Sequence, residues 1–278
     1  MTTADEAVAV WQVGAFGAGL FVAAALVLSA MPSSGAAQAE NPEIAKRRAA
    51  QQTSFSDQQI ADGFHKIAFR AELQFGRPAE RIRKFDEPVR VFVTGGAPAR
   101  RAEVAAIVAD IRAHVDHIDL AMTADQKAAN FVVTLVRKRD LARTIRSYYG
   151  PREAGQIQRK LQPQCLSGIG KDARYRIRRA EAVLPHDVDD FSFYDCGYEE
   201  LLQGLGVIND DSSVPWTMFN DEVQMGFFDI YDQYLVNILY DPAVRPGMSK
   251  GEVDALLPEV LPRVRAWVAK VNPPAGAN

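Results

Sequence analysis

The sequence has little of what metal and thiol chemistry needs. Its 278 residues hold two cysteines and four histidines. Cys165 and Cys196 stand far apart, which excludes a CxxC metal or redox pair. There is no basic excess: 32 Lys and Arg face 35 Asp and Glu, a formal net charge of −3. A general nucleic-acid binder is therefore not expected, because neutralising phosphates needs a basic surface. Neither common Gly-rich phosphate loop occurs, and there is no internal repeat. What remains is a globular composition, 47% hydrophobic, enough for one large domain or two small ones.

One long apolar run stands out. Residues 13–31 (VGAFGAGLFVAAALVLSAM) carry no charge and are followed by Pro32 and small residues to Ala39. Ala37-Gln38-Ala39 has the small-x-small form of a cleavage site, so residues 1–39 are expected to be a signal peptide removed before Glu40. The protein is then exported, to the periplasm or cell envelope. Two features fit an uncleaved inner-membrane anchor instead. The segment before the run carries Asp5 and Glu6 without Lys or Arg, and the run is just long enough to span a bilayer. Lys46, Arg47 and Arg48 follow it, which by the positive-inside rule alone would keep the C-terminal side in the cytoplasm. In an oxidising compartment the lone cysteine pair is expected to form a disulfide, with two buried free thiols as the alternative.

After a polar linker or frayed helix at 40–57, the main domain is expected at 58–272, with a tail at 273–278. Ser56 or Asp57 caps a helix over 58–75, which Gly76-Arg77-Pro78 ends. Residues 88–94 (PVRVFVT) alternate as a strand. Residues 100–118 are amphipathic, with Val104, Ile107, Val108, Ile111 and Val115 on one face. Residues 130–136 (NFVVTLV) read as a central strand. Residues 139–161 are mostly helical with a break at Gly150-Pro151, and 172–184 read as a third long strand with Arg174, Arg176 and Arg178 on one face. This order suits a twisted mixed sheet with packed helices, an α+β fold with a C-terminal helical part. Residues 137–180 are basic and 181–278 acidic. Either the two blocks neutralise each other, or the arginine face meets an anionic ligand.

The chemistry concentrates in EELLQGLGVIND, residues 199–210. A long-motif zinc peptidase needs HExxHxxGxxH: two His one helical turn apart, a Glu to activate the metal-bound water, a Gly for the reversal and a third His. In that register Glu199, Gln203 and Asn209 stand at the three ligand positions. Glu200 stands at the general base, and Gly206 falls on the Gly. Met218 follows at the distance of the methionine bend of metzincins. Asp232 precedes Leu239-Tyr240 at the spacing of the C-terminal helix in matrixin-type peptidases.

Together FHKIAFRAEL at 64–73, PVRVFVTGG, Cys196 with EELLQGLGVIND, TMFND at 217–221 and LYDPAVRPGMS at 239–249 resemble the DUF2927 family, exported bacterial proteins of undefined function. The resemblance spans about residues 60–267. It implies a zincin-like, metzincin-type fold and carries no established activity.

One carboxylate and two neutral amides are a poor zinc set, since zinc prefers imidazole and thiolate. Asp210 and Asp211 would add oxygens better suited to calcium or magnesium. No metal and no cofactor are expected, which leaves Glu200 a vestigial base, with Gly206, Met218 and Asp210 as site support. His114 and His117, one turn apart, read as solvated helix residues, and His186 as a turn residue. The expected role is a non-catalytic binding or structural module, its partner an extended peptide or envelope protein and not nucleic acid. The alternative is an active metal-dependent hydrolase using Glu200.

Overall fold

Five strands form one sheet in the order β2-β1-β3-β5-β4: β1 Val89–Gly95, β2 Leu120–Met122, β3 Phe131–Val136, β4 Leu166–Lys171 and β5 Ile177–Pro185. The first four in that order run parallel, and β4 lies antiparallel on the edge. The computed structural model describes residues 40–70, 80–161 and 163–273. The expected signal segment, the stop at 76–78 and most of the tail lie outside the described residues. Helices are α1 Pro42–Ala50, α2 Asp57–Ala68, α3 Pro98–His114, α4 Leu141–Lys160, α5 Asp190–Gly204, α6 Ile230–Tyr240, α7 Lys250–Asp254 and α8 Leu257–Val271. The fold is mixed α/β. No helix among the described residues is long and apolar enough to cross a membrane.

Alternation builds the sheet. Val89, Val91 and Val93 of β1 and Phe131, Val133 and Leu135 of β3 point into the main core. In β5, Ala180, Ala182 and Leu184 join that core, while Val183 joins a smaller cluster with Leu141, Ile145, Ala154 and Ile157 of α4. The end of β5 is thus covered on both faces, which is why it reads as a continuous apolar run. The Ser56–Gln59 capping box starts α2 and aims Ile60, Phe64 and Ile67 inward. Helix α6 is buried from Tyr231 to Tyr240, as a helix apolar on most sides must be.

Three expectations change. The segment read as a linker contains α1, capped by Asn41, with Ile44 buried. Arg47 stacks over Phe191 and Arg48 over Phe227. Its polar composition hides this packing, because arginine stems cover apolar rings while the heads stay wet.

The third strand starts later than expected, at Ile177, and an unforeseen strand precedes it. Asp172 Oδ1 accepts from Arg174 N and Arg176 N in a tight turn, and Tyr175 takes φ 65°. Strand β4 precedes that turn. Its two glycines mask it, and Gly168 is required there: a Cβ would stand 1.9 Å from the Tyr149 hydroxyl.

The arginine face does not await an anion. Arg176 pairs with Asp172 and Asp86, and Arg178 with Asp172, Asp86 and Glu87. Nor do these acids come from the acidic block at 181–278. They lie in the turn itself and just before β1.

Candidate binding cleft

Helix α5 begins at Asp189, whose carboxylate accepts from Ser192 N. Phe193, Leu201 and Leu202 are buried in the core, which turns a polar stripe outward. Asp195, Glu199 and Gln203 stand one turn apart along it and line a cavity of about 290 Å³ with Ser192, Cys196 and Glu200. Residues Leu161, Pro163, Gln164, Cys165 and Leu166 form another part of the lining. The Cys165–Cys196 disulfide, Cα–Cα 6.0 Å, ties that segment to α5, as expected from the sequence. Asp210, Met218, Asn220 and Asp221 complete much of the rest.

The helix stops where the motif demands. Leu205 N donates to Leu202 O and Gly206 N to Gln203 O. Gly206 takes φ +124°, and a Cβ on it would lie 2.1 Å from Arg83 O. Only glycine fits both the angle and the space. The chain that turns back brings Asp210 to the Gln203 amide, Nε2 to Oδ1 at 2.9 Å.

A buried carboxyl pair supports Met218 from below. Met218 N donates to Asp232 Oδ2 at 2.8 Å, and the Thr217 hydroxyl donates to Asp232 Oδ1. Asp229 caps α6, its Oδ1 accepting from Tyr231 N and Asp232 N. Asp229 Oδ2 is buried and faces no N–H or O–H donor. Burial raises both carboxyls, and Asp229 raises Asp232 further. One proton shared by the pair satisfies the orphaned oxygen.

The cleft is strongly electronegative. Burial pushes the Glu199 carboxyl well above its usual range, and Glu200, Asp210, Asp195 and Asp221 add to the rise. Asp195 is also raised by burial, although it accepts from Met225 N and Gly226 N. Burial raises the Tyr149 phenol, which bonds Glu181 and also feels Glu200.

The structure thus brings Glu199, Glu200, Gln203, Asp210 and Met218 to one cavity. Asn209 is not among the lining residues. Its amide donates to Lys66 O and Asp210 O and its backbone N to Ile67 O, which fastens the reversal onto the end of α2. Its hydrogen bonds thus go to the backbone at the end of α2 and to that of Asp210. Zinc does not fit this donor set. Both ends of the Gln203 amide are engaged, Oε1 by Ser167 and Nε2 by Asp210, and the third ligand position points its amide elsewhere. Among the described residues, no group of three or more His, Cys, Asp or Glu is arranged to hold a metal ion.

None of the four histidines lines the cavity. His65 pairs with Asp254, and His114 with Asp110. His117 lies beyond the end of α3 at φ 58°, so the two do not share a helix. His186 donates its backbone N to Val136 O at the end of β5.

The motif comparison did not single out Asp195 and Asp221. Asp195 was legible, four residues before Glu199 on the same stripe. Asp221 arrives from the loop after the motif, as the last residue of TMFND at 217–221, but no helical spacing ties it to the stripe. No curated protein and no solved structure matches the chain. Residues 57–259, most of the chain, match a family described as a protein of unknown function, and the chain belongs to that family, DUF2927.

Proposed function

We propose that the cleft is a non-catalytic binding site for a cationic group carried on an extended peptide or envelope protein. One observation carries this reading. Five carboxyl groups, Asp195, Glu199, Glu200, Asp210 and Asp221, line one cavity, and none of its described lining residues is Lys, Arg or His. An ammonium or guanidinium entering there would offset the repulsion that now raises Glu199.

The surroundings support an extended ligand. Strand β4 is the sheet's edge, bonded to β5 alone, and its first residue lines the cleft. Peptidases of the long-motif kind hold an extended chain on such an edge, by strand addition. The helix after β5, the reversal at Gly206 and the methionine beneath the cleft support descent from a zincin-like peptidase whose metal ligands have been replaced. The disulfide supports export to the cell envelope.

Calorimetry tests the reading with an extended peptide bearing one lysine, and with the same peptide bearing glutamine instead. The lysine peptide should bind more tightly. Its affinity should rise with pH as Glu199 loses its proton, and Glu199→Gln should reduce that rise to the part Asp195 contributes. Equal binding of both peptides would overturn the proposal. So would near-stoichiometric zinc with peptide cleavage lost in Glu200→Gln, which would establish the alternative, a working hydrolase.

A further inference from the structure

Helix α4 is broken by Gly150, at φ 79° and ψ 168°, immediately before Pro151. Its first half buries Leu141 and Ile145 and its second half Ala154 and Ile157, all in one small cluster with Val183 of β5. Both halves therefore press the same side against the sheet and turn the other to solvent. The solvent side is a row of cations. Arg139 precedes the helix, Arg143 and Arg146 follow at spacings of four and three, and Arg152, Arg159 and Lys160 continue past the break. All six are exposed. Arg143 pairs with Asp140 and remains 80% exposed. The other five make no ion pair among the described residues.

Several arginines elsewhere are paired, although exposed ones such as Arg112 and Arg174 are not among the described residues' ion pairs. Arg176, Arg178, Arg263 and Arg265 each meet a carboxylate of the same chain. In a chain of net charge −3, acids are plentiful, yet between Arg139 and Lys160 only Asp140 and Glu153 stand among the cations.

We propose that this face of α4 docks on anionic lipid headgroups. Complementary charge selects an anionic partner. The shape selects a planar one, because the row lies along the outside of a helix backed by the sheet. A flexible polyanion wrapping further would meet the carboxylates of the cleft, whose lining begins at Leu161, next to Lys160. Tyr148, 42% exposed, is not part of the row: its hydroxyl lies 2.7 Å from Thr134 Oγ1 of β3. This surface is separate from the acidic cleft, and its test does not depend on the ligand proposed there.

The test is vesicle flotation of the full chain, on phosphatidylcholine alone and on phosphatidylcholine mixed with phosphatidylglycerol. Any contribution of the apolar run at 13–31 enters both arms, so the ratio between them is the readout. The anionic vesicles should capture more protein, and added salt should erode the difference. Changing Arg139, Arg146, Arg152 and Arg159 to Gln should cut the ratio at least about tenfold, since each charge near such a surface is worth roughly a fivefold change. A matched set, Arg112, Lys127, Arg174 and Lys250 to Gln, should leave most of it. Equal losses in the two sets would overturn the proposal, as would no preference for anionic vesicles. Tighter binding of the same face to duplex DNA would make it a nucleic-acid surface and overturn it as well.

Discussion

The Asp229–Asp232 pair beneath Met218 gives a sharp handle on stability. Both carboxyls are raised, first by burial. The unfolded chain ionises both near pH 3.9, so folding at higher pH must take up a proton. A carboxyl whose folded pKa is raised contributes its stability below the unfolded value, and loses it as pH climbs through the folded value. Each pH unit in that window costs about 1.4 kcal/mol. For a domain of this size that is roughly 3–6 °C of melting temperature per unit.

Asp229→Asn should remove the dependence. The amide keeps Oδ1 for Tyr231 N and Asp232 N, so the cap survives. Its Nδ2 takes the place of the buried oxygen that lacks a donor. Asp232 can then stay ionised, accepting from the introduced amide, from Thr217 and from Met218, in the first turn of α6 where the helix dipole favours a negative charge. Circular-dichroism melts of both proteins from about pH 4 to pH 8 are the assay. The variant should match the parent at the acid end and gain on it steadily as pH rises. Glu199 also takes up a proton on folding, but it does so in both proteins and cancels in the difference. A difference that stays flat, or a variant less stable at every pH, would refute the shared proton.

Other consequences are simpler. Gly206→Ala should destabilise by at least about 3 kcal/mol in a denaturant melt, because a positive φ and a Cβ 2.1 Å from a backbone oxygen are imposed together. Replacing Cys165 and Cys196 by Ser opens a loop of sequence separation 31 and should cost about 3–4 kcal/mol, read in the same melt. Glu200→Gln takes one of the five carboxyls from the cleft and should weaken binding of the lysine peptide in calorimetry while leaving that of the glutamine peptide nearly unchanged, and metal analysis of the parent should find zinc far below one per chain, since the donor set does not suit that ion.

The parts of this fold that depend on local rules are legible in the sequence. Period-two runs gave β1 and β3, and the Ser56–Gln59 box gave the start of α2. The Gly150-Pro151 break and the cysteine pair fell where they were expected. What was hidden has a physical cause in each case. Strand β4 carries two glycines because Tyr149 and Arg179 need the space above them, so its sequence looks like a turn. Helix α1 looks like a linker because its arginines do apolar packing.

The site divides the same way. Asp195, Glu199 and Gln203 share a stripe that helical spacing alone predicts, and Gly206 is fixed by its angle. The zinc motif covers α5, whose Glu199, Glu200 and Gln203 line the cavity, and Asn209, which does not. Asn209 stands at the third ligand position, and its amide donates to Lys66 O of α2 and to Asp210 O. Asp221, which does face the cavity, arrives on the long loop between α5 and α6. The motif predicts a set of ligands for a metal, whereas the molecule assembles a set of charges. Four of those charges lie on α5 and in the motif, and the loop adds the fifth, Asp221, and that is why the cleft's electronegativity is the better guide to what it binds.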